Sequence, residues 1–187
     1  MNEIQEFCKI LRKRSQEHSA AITRIGNLHG VVMSILRQEL DSMIRTIYLL
    51  SIKDISERKR LIQQTLSGKK WTLITSKGNN KTITDKEMVE LSNKLQGWTL
   101  SVYRFGCSFI HLSRYHDYSS INPFNLINNE ERNNILKHLR YYHAGPMNNN
   151  PSFDKLAHYF PSVFEKISSN LECYIKDLEN NKEISIE

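Results

Sequence analysis

The sequence predicts an all-α fold, a bundle of about five to six helices in a single domain covering residues 1–187. Two observations favour this class. Apolar residues recur every three or four positions along most of the chain, which is the periodicity of amphipathic helices. The 187 residues include only seven glycines and four prolines. Because these residues tend to end or interrupt helices, few interruptions are expected. Strand-like alternation is nearly absent, and only residues 71–75 are expected to form a short strand.

The helices can be placed in order from apolar spacing and from their start and stop residues. The predicted ranges are 3–27, 31–52, 54–66, 84–112, 129–142 and 153–178. The clearest start is the capping box of Thr84 and Glu87, in which each side chain satisfies a free backbone amide at the helix end. Pro161 falls inside the last range and is expected at the first turn of a new helix.

Cysteine usage and charge limit the environment and the partners. Cys8, Cys107 and Cys173 are scattered and form no CxxC pair, so neither a disulfide framework nor a metal site is predicted, and the pattern fits a reducing compartment. No signal peptide and no apolar stretch of membrane length is seen, which predicts a cytoplasmic protein. The net charge of +6 favours an anionic partner such as RNA, DNA or an acidic protein. Basic clusters such as residues 58–60 are expected to be solvated helix faces.

The predicted helix over residues 84–112 is apolar on two sides. One stripe, expected to face the core, consists of Met88, Leu91, Leu95, Trp98, Val102, Phe105, Phe109 and Leu112. A second stripe, expected to face another helix or a partner subunit, consists of Leu100, Tyr103, Cys107 and Ile110. Thr99 and Gly106 lie in a gap between the stripes, where small residues permit close helix packing.

A narrow polar strip between the stripes carries the candidate chemistry. It consists of Lys94, Ser101, Arg104, Ser108 and His111. Arg104 and His111 are seven residues apart, which places them two turns apart on one face of a helix. A guanidinium binds phosphate oxygens with two parallel donors, and an imidazole moves protons near neutral pH. RNA supplies its own nucleophile, the 2′-hydroxyl, so this pair suits metal-free cleavage of a phosphodiester.

The segment from Arg104 to His111, RFGCSFIH, resembles the R-x(4–6)-H motif of the HEPN superfamily. Members of that family are all-helical, carry the arginine and histidine on one long helix near a dimer interface, and include metal-independent endoribonucleases of toxin–antitoxin, phage-defence and CRISPR systems. Two positions depart from the pattern. Phe105 stands where many members have a polar residue, and Ser113 stands where members neutralised by a nucleotidyltransferase often have tyrosine.

The resemblance implies a HEPN-like homodimer that cleaves RNA without a metal or cofactor, alone or with an antitoxin or defence-system partner protein. Arg104 would hold the scissile phosphate, and His111 would act as the general base on the 2′-hydroxyl or orient it. The residues expected to support them or to bind substrate are Ser108, Arg114, His116 and Tyr118.

Two other functions remain open from the sequence. The first is a non-catalytic HEPN-like module that serves as a sensor, an antitoxin partner or a scaffold. The second is a DNA-binding regulator, although no helix-turn-helix with a basic recognition helix stands out. A metal site at His138 and His143 is not expected, since these residues are five apart and a helical metal pair needs four.

Overall fold

The computed structural model describes residues 2–74 and 78–185. Within these ranges it contains eight α-helices and one two-stranded antiparallel hairpin. The helices are α1 (Glu3–Ile25), α2 (His29–Ser51), α3 (Ile55–Leu66), α4 (Asp85–Gln96), α5 (Thr99–Cys107), α6 (Asn129–His143), α7 (Phe153–Ala157) and α8 (Phe160–Glu179). The strands are β1 (Thr72–Ile74) and β2 (Asn80–Thr82). The predicted all-α helical bundle is confirmed.

Helix α2 is the centre of the bundle. It packs most extensively against α8 and also against α1, α4 and α5. Most of its apolar side chains are buried, and Leu40, Met43 and Ile47 are fully so. Each fully buried side chain contributes about 1.5–3 kcal/mol through removal of apolar surface from water. The buried apolar residues of the described chain form one cluster. None of the described helices is long and apolar enough to span a bilayer.

Buried charges on α2 are paired with groups on its neighbours. The Glu39 carboxylate is fully buried, and it accepts a hydrogen bond from the Ser15 hydroxyl and lies 2.6 Å from Nδ1 of His18. Arg37 donates to Asp85 Oδ2 at the start of α4, at 3.2 Å. Because an unpaired buried charge is costly, these pairs fix how α1 and α4 dock on α2.

Arg58 corrects the expectation that residues 58–60 form a solvated face. Its side chain is fully buried, and its guanidinium donates to the carbonyl oxygens of Leu50, Ile52 and Lys182. The first two carbonyls lie at the C-terminal end of α2, where backbone acceptors have no helical partner. Arg58 therefore caps α2 and ties the C-terminal segment to it.

The predicted continuous helix over residues 84–112 is wrong, because it is interrupted at Gly97. This glycine adopts a left-handed conformation, with φ of 75°, which glycine reaches without steric cost. Its amide donates to the Asn93 carbonyl, at 2.8 Å, and closes α4. The Asn93 side chain then accepts the Leu100 amide, at 3.1 Å, near the start of α5.

Helix α5 ends at Cys107, before the predicted end. The amides of Phe109 and Ile110 bond three residues back instead of four, so the chain tightens into turns. Phe109 is buried and stacks on Phe153, with ring centroids 5.4 Å apart. Its carbonyl accepts the Ser34 hydroxyl of α2, at 3.1 Å. Aromatic packing of Phe109 thus holds the chain beyond α5 against the core in a non-helical path.

Three other expectations have mixed outcomes. Pro161 lies in the first turn of α8, as predicted, but the short α7 precedes it as a separate helix. The predicted strand over residues 71–75 is present as β1, although Thr75 lies outside the described residues, and its partner β2 was not predicted. The core stripe is buried at Met88, Trp98, Phe105 and Phe109, whereas Leu95 and Leu112 are exposed.

Candidate phosphate-binding cleft between helices α5 and α6

The second apolar stripe and Gly106 set the position of α5. The Arg37 guanidinium carbon lies 4.1 Å from the centre of the Tyr103 ring, and its Nε donates to the Cys107 sulfur at 3.4 Å. A side-chain carbon added at Gly106 would approach the Arg37 Cβ to 2.9 Å. Gly106 therefore permits the close packing of α5 on α2 that the sequence predicted, and α2 covers part of the stripe that was assigned to another helix or a partner.

Arg104 lies on the exposed side of α5 and faces α6 across a polar cleft of about 210 Å³. Helix α6 contributes Glu131, Asn134, Lys137 and His138 to the same cleft. The spacing of these residues, over three to seven positions, places them along one side of the helix. The remaining lining comes from Asn93, Gly97, Leu100, Ser101, Asn128 and Glu130.

His138 is the titratable base of the cleft. Burial, and then the neighbouring Lys137, lower the pKa of His138. The imidazole is therefore neutral at pH 7 and able to accept a proton. Its Nδ1 is buried and has no hydrogen-bond partner among the described residues. Most buried polar atoms are hydrogen-bonded, and the same lack of a protein partner is found at Ser92, Thr99 and Arg132.

Both charge signs are present around His138. Burial raises the pKa of Glu131, and the positive charge of Arg104 opposes this rise. Arg104 and Lys137 supply two cations, while Glu130 and Glu131 supply two carboxyl groups. A phosphodiester entering the cleft would meet a guanidinium that can bind it with two donors, a neutral imidazole, and a carboxyl group that holds its proton to a higher pH than usual.

The two residues of the predicted catalytic pair do not lie on one continuous helix. His111 is exposed and lies four residues beyond the end of α5, so it does not continue the helical face that carries Arg104. It is also not among the residues that line the cleft. Ser108 is the C-cap residue of α5, and its hydroxyl donates to the Arg104 carbonyl at 3.5 Å. Ser108 therefore lies close to the Arg104 backbone but does not line the cleft.

The other predicted substrate-binding residues are not part of the lining of this cleft. Arg114 and His116 form a short 3₁₀ turn and are exposed, and the His116 ring packs on Phe109 at 6.0 Å. Tyr118 packs on Phe153 at 5.5 Å. It lines a different cleft, together with His29. None of these three residues lines the cleft that contains Arg104.

The cleft-lining residues that sequence reasoning missed are those of α6. Glu131, Asn134 and His138 recur at spacings of three and four, which is a polar stripe at helical periodicity. That stripe was available in the sequence, but its meaning depends on α6 docking beside α5. The described residues include no group of three His, Cys, Asp or Glu side chains placed to hold a metal ion.

Comparison with protein-family models, with curated proteins and with solved structures gives no match for this chain. The HEPN resemblance therefore stays a prediction from its short motif.

Proposed function

We propose that the protein is a metal-independent endoribonuclease whose site is the cleft between α5 and α6. One observation carries the proposal: Arg104 and His138, whose lowered pKa keeps it neutral at pH 7, line the same polar cleft. Arg104 binds the scissile phosphate and stabilises the charge that develops on it. His138 accepts the proton of the 2′-hydroxyl as that oxygen attacks phosphorus and the 5′-oxygen leaves.

Two further residues support this assignment. Glu131 lines the same cleft, and burial raises the pKa of its carboxyl group, which makes it the candidate general acid for the leaving 5′-oxygen. Lys137 adds a second positive charge beside the phosphate. The proposal keeps the metal-free reaction and the arginine inferred from the motif. It moves the base from His111 to His138 because His138 lines the cleft with Arg104 and His111 does not.

The reaction is tested with purified protein and a labelled single-stranded RNA. We expect 2′,3′-cyclic phosphate and 5′-hydroxyl ends, no loss of activity in EDTA, and no cleavage of DNA of the same sequence, because DNA lacks the nucleophile. Replacement of Arg104 by Ala should abolish most activity, and replacement by Lys should not fully restore it, because an ammonium lacks the two-pronged geometry of a guanidinium. Arg24→Ala, at an exposed position in the last turn of α1, is the matched control and should retain activity. Cleavage that requires a metal would refute the mechanism.

The wider setting proposed is a cytoplasmic toxin or phage-defence protein that acts as a homodimer. Exposed Ile110 and Leu112, just beyond α5, offer apolar surface for a second copy, as apolar patches often do. Sedimentation at micromolar concentration should give a dimer. If no RNA is cleaved by the wild-type protein, the alternative of a non-catalytic HEPN-like binding module is favoured.

A further inference from the structure

Two asparagine side chains in the lining of the cleft are held by backbone amides. Asn93, in the last turn of α4, and Asn128, the N-cap of α6, both line the cleft that contains Arg104. The Leu100 amide donates to Asn93 Oδ1 at 3.1 Å, and the Glu131 amide donates to Asn128 Oδ1 at 2.8 Å. A backbone N–H can only donate, so the atom that accepts it must be the oxygen of each side chain. The orientation of each NH₂ group is therefore fixed by the fold.

The two fixed NH₂ groups are free to bind a ligand. Within the part of the chain that the structure describes, Nδ2 of Asn93 and Nδ2 of Asn128 donate no hydrogen bond. Asn93 is half-buried and Asn128 is exposed, so both can be reached from the cleft. Each NH₂ group can donate two hydrogen bonds. Donors that are already oriented suit the negatively charged oxygens of a phosphate, because they stabilise charge without the cost of reorientation.

Asn93 also connects the two sides of the interruption between α4 and α5. Its carbonyl accepts the Gly97 amide at 2.8 Å, while its side chain accepts the Leu100 amide. Asn134 lines the same cleft, but its side chain makes no hydrogen bond among the described residues and is not held in this way. The cleft thus offers two fixed amides and one free amide, which allows a comparison within one site.

We propose that Asn93 and Asn128 donate hydrogen bonds to the non-bridging oxygens of the phosphodiester that Arg104 holds, and so position it for attack. This inference rests on the proposed function, because it concerns the phosphate of the same substrate. Two carboxyl groups bring negative charge to the cleft, so neutral donors add to the attraction that the guanidinium supplies. A phosphate bound in this way is held by residues of α4, α5 and α6, which fixes the position of its phosphorus atom.

The test is an NMR titration of isotope-labelled protein with 2′-O-methyl uridylyl-uridine. This dinucleotide carries one phosphodiester, and the protein cannot cleave it because the 2′-oxygen is blocked. The side-chain NH₂ signals of Asn93 and Asn128 should shift as the dinucleotide binds, and the signal of Asn134 should shift less. The same titration gives the dissociation constant, which Arg104→Ala should raise because it removes the charged donor.

Aspartate replacements remove the donor and keep the oxygen that accepts the backbone amide. Asn93→Asp and Asn128→Asp should each weaken dinucleotide binding about tenfold or more, as expected for a hydrogen bond to a charged group. Aspartate is as good a helix N-cap as asparagine, so α6 should keep its start. Asn134→Asp adds the same charge to the same cleft without removing a fixed donor, and it should weaken binding less. Asn2→Asp, the same change at the N-cap of α1, should leave binding unchanged.

The outcomes separate this inference from the proposed function. Equal losses in Asn93→Asp, Asn128→Asp and Asn134→Asp would show an effect of charge alone and overturn the phosphate-binding role, even if the protein cleaves RNA. Side-chain signals of Asn93 and Asn128 that do not move, or no binding of the dinucleotide by the wild-type protein, would overturn it as well. Binding that depends on these two asparagines, without cleavage of unmodified RNA, supports the role and refutes the nuclease.

Discussion

Replacement of Arg58 by Met should lower the free energy of unfolding. The size of this loss follows from the hydrogen bonds that the Arg58 guanidinium makes. The guanidinium donates to the carbonyls of Leu50, Ile52 and Lys182, of which the Lys182 contact is 2.7 Å. Leu50 retains the amide of Ile184, at 3.0 Å, so two carbonyls lose the donor that capped them. Each unsatisfied buried carbonyl costs about 1–3 kcal/mol. Partial hydration of the Lys182 carbonyl and removal of a buried charge offset part of this cost. The expected loss in the free energy of unfolding is therefore about 2–4 kcal/mol.

The free energy of unfolding is measured by urea titration, with tryptophan fluorescence and circular dichroism as independent probes. A loss of this size should lower the melting temperature by roughly 4–16 °C for a chain of this length. Lys59→Met is the control, because Lys59 is the exposed neighbour on the same helix, and it should change stability by less than about 0.5 kcal/mol. If Arg58→Met is as stable as Lys59→Met, the capping argument is refuted.

Two other predictions concern the packing and the pH dependence of the fold. Gly106→Val should cost about 1–3 kcal/mol of unfolding free energy through overpacking, since even a Cβ at this position lies 2.9 Å from the Arg37 Cβ; unchanged stability in urea would contradict the close approach of α5 and α2. The pKa values of His138 and His143 are lowered from 6.5 in the folded protein, so their contribution to stability is fully present above about pH 6.5 and is lost as the pH falls through the folded-state pKa values. Replacement of both histidines by Asn should reduce that decline in unfolding free energy below pH 6.5, and an equal decline in the variant would show that other groups cause it.

Local rules predicted most helix boundaries. Helices α1 and α6 begin where Asn2 and Asn128 cap them, and both lie within two residues of their predicted ranges. The break at Gly97 escaped prediction because α4 and α5 both pack on α2, so the apolar spacing of three and four continues across the interruption. Gln96-Gly97 was the local indication, since an isolated glycine within a helical pattern can end a helix.

The sequence predicted one of the two central residues of the candidate site and missed the other. Arg104 was identified from its chemistry on a polar strip, and it lines the cleft. His138 was considered only as a metal ligand, because its nearness to Arg104 depends on the docking of α6 against α5. The burial of Arg58 was equally hidden, since its acceptor at Lys182 lies more than a hundred residues away in sequence.

The most direct test of the account compares single-turnover RNA cleavage rates of the wild-type protein, His138→Ala and His111→Ala at pH 7. If His138 is the base beside Arg104, its replacement should lower the rate by about 10²–10⁴-fold, and the exposed His111 should be replaceable with little loss. The opposite result, with His111→Ala inactive and His138→Ala close to wild type, would contradict the assignment and return the catalytic histidine to the motif.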